Sequence, residues 1–93
     1  MELIFRPRFK RELQRIKDKK VLQSISVTLR QIEGANNIKL IGGLVKLEKH
    51  AHYYRIKIKL SERKDYRLGL MIKGKKVWAE RIVRRIKIYK DFP

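Results

Sequence analysis

Seven residues in the second half of the chain have the types and spacing to act on a phosphodiester: Arg55, Lys57, Lys59, Arg67, Arg84, Arg85 and Tyr89. Side chains alternate across an extended strand, so Arg55, Lys57 and Lys59 share one face, and Arg67 takes the corresponding face of the next apolar run. Arg84, Arg85 and Tyr89 follow the last such run and could close a site from its edge. Arginine forks bind phosphate bidentately, and a tyrosine can stack on a base. The same cluster could cut RNA through its own 2′-OH. That reaction removes the hydroxyl proton, stabilises a doubly charged phosphorane-like transition state and protonates the departing 5′-oxygen. Arginines supply the electrostatic part without a metal. A lysine or tyrosine can move the protons where neighbouring cations favour its deprotonated form.

Other constellations are missing. There is no phosphate-binding glycine loop, no HExxH, and no cysteine for a thiolate, a disulfide or a zinc site. His50 and His52 stand at i, i+2 without acidic or cysteine partners, so no metal or other cofactor is expected and both read as loop residues. The nine acids are scattered without a close pair, and no serine lies in a recognisable triad motif. From residue types and alternation alone three readings stay open: a nucleic-acid-binding face, a solvated or acidic-partner face, and a catalytic one. Tyr54 and Tyr66 fall on the core side and read as structural. Trp78 reads as a core or partner contact, and Phe92 as packing down the sheet edge.

The elements that must position these residues follow from periodicity. Tyr54, Ile56, Ile58 and Leu60 alternate with the cations of the first run, and Tyr66, Leu68, Leu70 and Ile72 repeat the pattern. Lys73-Gly74-Lys75 supplies a tight hairpin, and Val77 to Val83, apolar on both faces, is a central or covered strand. Upstream, Met1 to Arg6 reads as a strand stopped by Pro7, which suits the start of a helix. Phe9, Leu13 and Ile16 make one helical stripe whose outer face carries Lys10, Arg11, Arg15 and Lys17. Asp18-Lys19-Lys20 breaks it, and Leu22, Ile25, Leu29 and Ile32 make a second stripe ending at Gly34. Residues 38–52 read as a loop with a short strand at Leu44 to Leu47. The expected fold is α+β: an N-terminal strand, a two-helix hairpin, an antiparallel β-meander packed on the helices, and a short C-terminal segment. The second sheet face is expected to stay concave and cationic.

The 93 residues, 43% of them hydrophobic, suffice for one modest core, so one domain over residues 1–93 is expected. A net charge of +17 repels itself in the folded state and implies a polyanionic partner. Both halves are basic, the second more so, which fits a basic body rather than a basic tail. No apolar run approaches a membrane span, and none marks a leader, so a cytoplasmic protein is expected.

The run YYRIKIK…DYRLGLMIKGKKVWAERIVRRIKIYKDFP resembles the C-terminal half of the RelE/ParE superfamily of bacterial and archaeal type II toxins, in its RelE-like branch. The tyrosine–basic–Ile–basic strand, the DYR before the next strand, the hairpin and the basic pair before a tyrosine match in order and spacing. The opening strand, Phe-x-x-x-Leu helix and second helix are similar too, and Lys39-Leu40 and Lys46-Leu47 resemble the segment leading into the sheet. The resemblance implies a sandwich fold and a metal-independent endoribonuclease that cleaves mRNA in the A site of the 70S ribosome. It further implies a partner antitoxin, RelB-like and acidic in its binding segment, in a toxin–antitoxin hetero-oligomer. Lys57 would transfer protons, Arg67 would steady the scissile phosphate, Arg85 would be a second phosphate ligand, and Tyr89 would orient or stack the base or aid proton transfer. Arg55, Lys59 and Arg84 would bind RNA. Two departures bear on this. Val83-Arg84-Arg85 stands where many relatives have Gly-His-Arg, and the turn 61–65 is longer than usual, which could shift Arg67 relative to Lys57. The same fold without the RNase set would give a ParE-like DNA gyrase inhibitor or an inactive antitoxin-binding protein.

Overall fold

The computed structural model describes the backbone of residues 1–93 and every side chain except those of residues 89–91. The chain runs β1 (Glu2–Phe5), α1 (Pro7–Gln14), α2 (Lys19–Gly34), a single 3₁₀ turn (Ile38–Leu40), β2 (Leu44–Lys46), β3 (Tyr53–Lys59), β4 (Asp65–Lys73), β5 (Lys76–Arg84) and α3 (Arg85–Asp91). The five strands form one sheet in the order β1-β5-β4-β3-β2. β1 lies parallel to β5, and the remaining neighbours are antiparallel. The expected α+β architecture is the observed one.

Local chemistry explains the boundaries. Pro7 opens α1, where its missing N–H is not needed. Asp18 caps α2 by accepting from the Lys20 and Val21 amides at 2.9 and 3.2 Å. Gly74, at φ +58°, takes the first central position of the two-residue turn between the paired Lys73 and Lys76, the glycine position of a type II′ hairpin. Phe9 from α1 and Val21, Ile25 and Ile32 from α2 are buried against Ile56, Ile58, Leu68, Leu70, Val77, Ala79 and Ile82 of the sheet. Leu13, Leu22 and Leu29 pack at the rim of this core. Truncating a side chain buried like Phe9 costs about 3–5 kcal/mol in transfer and cavity terms.

The pairing of β1 ends at Ala79, which leaves the edge of β5 beyond it without a strand. α1 packs along β5, and Glu12 accepts the amide of Ile82 at 3.1 Å. A helix thus covers a sheet edge that would otherwise be open to pairing.

The second sheet face differs from expectation. It is not left open, because α3 folds back against β4 and β5 and buries Ile88. Phe92 lies over Gly69 and meets the Tyr53 ring edge-on, with centroids 5.5 Å apart. Phe92 therefore packs on a sheet face, not down its edge. Gly69 is the residue that admits it, since a Cβ there would lie 2.9 to 3.1 Å from the Phe92 ring. Alternation in the sequence shows which residues share a face, but not what a later segment will lay over it.

Candidate phosphate site on the sheet

β3 and β4 bring the first four candidates to neighbouring positions. Lys57 stands directly opposite Arg67, Arg55 opposite Gly69, and Lys59 opposite Asp65. Directly paired residues hold their Cβ atoms about 4.5–5.5 Å apart on one face. The long turn does not disturb this register. Leu60 and Lys64 close it through an amide-to-carbonyl bond of 2.9 Å, and Lys64 donates back to Ser61. A salt bridge of 2.6 Å from Lys64 to Asp18 then ties the turn to the start of α2. That cation, with the Val21 amide, holds the Asp18 carboxyl below its usual range.

The four cations are not equivalent. Lys57 is exposed and Arg55 half-buried. Lys59 bonds Glu62 in the turn at 2.7 Å, and holds that carboxyl below its usual range. Arg67 is only 4% exposed. Its Nη1 donates to Asp65, two residues earlier on the same face, and to the Tyr66 carbonyl at 3.1 Å. Its buried Nε has no hydrogen-bond partner among the described residues. The sequence carried a signal for Asp65, because an acid two residues before a strand arginine shares its face. A scan for paired carboxylates passes over it.

The remaining candidates lie around the corner where β5 becomes α3. Arg84 stands opposite Tyr66, so it falls on the other face of the sheet from Lys57 and Arg67. Its guanidinium lies over the Tyr66 ring, 5.4 Å from the centroid, and donates to the Arg63 carbonyl. Arg85, exposed, is the first residue of α3. The side chain of Tyr89 lies outside the described residues. The geometry thus unites Lys57, Arg67 and Arg55, and sets Arg84 apart. Arg81 and Glu12, which no motif singled out, form a buried pair with bonds of 2.8 to 3.0 Å between α1 and β5. No group of three or more metal-binding side chains exists among the described residues, and no described helix is long and apolar enough to cross a membrane.

The pattern of strands and helices matches known structures. A chain of the RelB-RelE antitoxin-toxin complex from Methanococcus jannaschii superposes with a TM-score of 0.76 at 22% identity, over 97% of this chain and 99% of that one. The fold is RelE-like. A chain of the intact E. coli RelBE toxin-antitoxin complex matches with a TM-score of 0.69 at 20% identity, over 89% of this chain and 94% of that one. No family model matches the sequence, and no curated protein matches it significantly. The RelE-like fold therefore persists here with about four residues in five changed, as expected where core volume and patterning decide the fold.

Proposed function

We propose that the protein is the toxin of a type II toxin–antitoxin pair and cleaves mRNA in the A site of the ribosome. One observation carries the reading: in a RelE-like fold, Lys57 and Arg67 are directly paired on adjacent strands of one sheet face. The 2′-oxygen of the substrate attacks the neighbouring phosphorus as the bond to the 5′-oxygen breaks. This leaves a 2′,3′-cyclic phosphate and a 5′-OH. Lys57 takes part in proton transfer, since arginine keeps its proton. Arg67 and Arg85 offset the charge that gathers on the phosphoryl oxygens, and Tyr89 orients or stacks the base or aids proton transfer. Arg55 and Lys59 hold the flanking backbone, with Arg84 on the far side of the sheet. The charge of +17 suits docking on ribosomal RNA. It equally suits an antitoxin with an acidic binding segment, held with the toxin in a hetero-oligomer in the cytoplasm.

A second reading rests on Arg67 itself. It is enclosed and already engaged by Asp65, as it would be in a RelE-like protein that binds its antitoxin or DNA gyrase without cutting RNA. Reconstituted translation with primer extension separates the two. New mRNA ends within the A-site codon are expected only with ribosomes present, and are lost with Arg67→Ala. Intact mRNA with normal translation would overturn the nuclease reading and direct the next assay to gyrase.

A further inference from the structure

We propose that the groove between α1 and the β5–α3 corner is a separate binding site for the phosphodiester backbone of single-stranded nucleic acid. The groove is an open cleft of about 710 Å³. Arg8, Arg11 and Arg15 line one wall, and Arg84 and Lys87 line the other. All five are exposed. Arg8, Arg11 and Arg15 fall at i, i+3 and i+7, so they project from one face along about 10 Å of helix axis. That length presents guanidinium forks to more than one phosphate.

Two features choose this ligand over an acidic protein segment. The carboxylate in the groove among the described residues is Glu12, and it is already taken by Arg81 and the Ile82 amide, so it does not neutralise Arg11, Arg15, Arg84 or Lys87. The apolar lining residues Ile16, Ile82 and Val83 are 8%, 1% and 8% exposed, and the Tyr66 ring, which also lines the groove, has the Arg84 guanidinium over it. A protein partner draws its affinity from apolar or aromatic anchors seated in pockets. This groove offers charge without such a seat, which is how a backbone is held without reading its bases. The groove runs over the β5 edge, with Arg84 and Tyr66 on one sheet face and Arg81 and Val83 on the other, and it is distinct from the Lys57–Arg67 pair because neither of those residues lines it. Its existence does not depend on RNA being cut.

The test is anisotropy with a short labelled 2′-O-methyl RNA, which cannot react through its 2′-oxygen, and with a DNA strand of the same sequence, each across a salt series. Arg11→Glu with Arg15→Glu is compared with Lys46→Glu and Lys49→Glu, an equal change of charge on exposed residues at the β2 edge of the sheet. The groove pair is expected to weaken binding of both strands at least about 10-fold at low salt and to flatten the salt slope by about 1.4, or about 0.7 per lost phosphate contact. The β2-edge pair should leave the slope near that of the unaltered protein. Arg11→Gln with Arg15→Gln should show the same trend with a smaller loss, and circular dichroism should show the same fold throughout. Equal losses from the groove and edge pairs would reduce the effect to bulk charge and overturn the site. So would a polyglutamate peptide that binds in a groove-dependent way while the oligonucleotides are indifferent to the groove variants. Primer extension on ribosomes reads the nuclease and the salt slope of the groove variants reads the groove, so intact mRNA beside a groove-dependent slope, or new mRNA ends beside a groove-independent one, tells a failure of one reading from a failure of the other.

Discussion

Arg67 and Arg81 lie on the adjacent strands β4 and β5, are 4% and 5% exposed, and each faces a carboxylate, yet the two pairs are built differently. Glu12 reaches Arg81 across 69 residues of sequence, and its two oxygens take the Arg81 guanidinium at 2.8 to 3.0 Å and the Ile82 amide at 3.1 Å. That carboxylate is saturated, and the pair clamps α1 over the open edge of β5. Asp65 comes from the same strand as Arg67 and engages its Nη1, whereas Glu12 takes both Nε and Nη2 of Arg81. A guanidinium has five N–H donors in a fixed fork. The Arg67 pair leaves donor capacity for another anion, and no distant element depends on Asp65 to hold it in place. Equal burial therefore does not mean equal role. The difference lies in what the carboxylate ties together.

Breaking the clamp should have the largest effect. Glu12→Ala leaves a buried guanidinium without its counter-charge and frees the Ile82 amide, a loss of about 3–5 kcal/mol in stability. Urea unfolding should show a lower midpoint at an unchanged slope. On the proposed nuclease reading, Arg67→Ala is expected to lower ribosome-dependent cleavage about 10²–10³-fold, the effect of removing one donor to a developing oxyanion. Its stability loss should be smaller than that of Glu12→Ala. If the two variants unfold alike, Arg67 is a second clamp and the contrast between the pairs fails.

The sequence made one of these arginines legible and hid the other. Arg67 stands in an alternating strand beside a tyrosine, so its face and its neighbour Lys57 could be read from period two. Arg81 lies in a strand that is apolar on both faces, and its partner sits on the first helix, so the pair exists only through tertiary contact. The elements themselves were readable, because Pro7, Asp18 and Gly74 mark their ends by local chemistry. The parallel pairing of β1 with β5 was not, since nothing local records which edge an N-terminal strand will join. The covering of the second face was missed for the same reason. Gly69 fits any strand pattern, and its meaning emerges only when Phe92, 23 positions later, lies on it.

That close approach gives the next test in size. Gly69→Ala places a methyl group against the Phe92 ring, with a backbone that cannot retreat without disturbing the central strand. A loss of about 1–3 kcal/mol is expected from overpacking. Phe92→Ala in the Gly69→Ala background should recover part of it, since the clash is then gone, and a thermal scan of the two variants measures the recovery.

The smallest effect concerns the tether that fixes the turn carrying Asp65. Asp18 is held below its ordinary value of 3.8 chiefly by the Lys64 ammonium and then by the Val21 amide. A carboxyl depressed in the folded state stabilises the fold above its unfolded pKa, and that contribution fades as pH falls through the folded value. Asp18→Asn keeps an N-cap acceptor but removes the charge, so its melting temperature should lie slightly below that of the unaltered protein near neutral pH. The gap should close as pH drops below about 4, where the carboxyl takes up its proton. Added salt should narrow it as well, because the pair is partly exposed and so screened. A gap that persists at low pH would mean that Asp18 acts through cap geometry alone. The turn, and with it the Asp65–Arg67 pair, would then be positioned without help from Lys64.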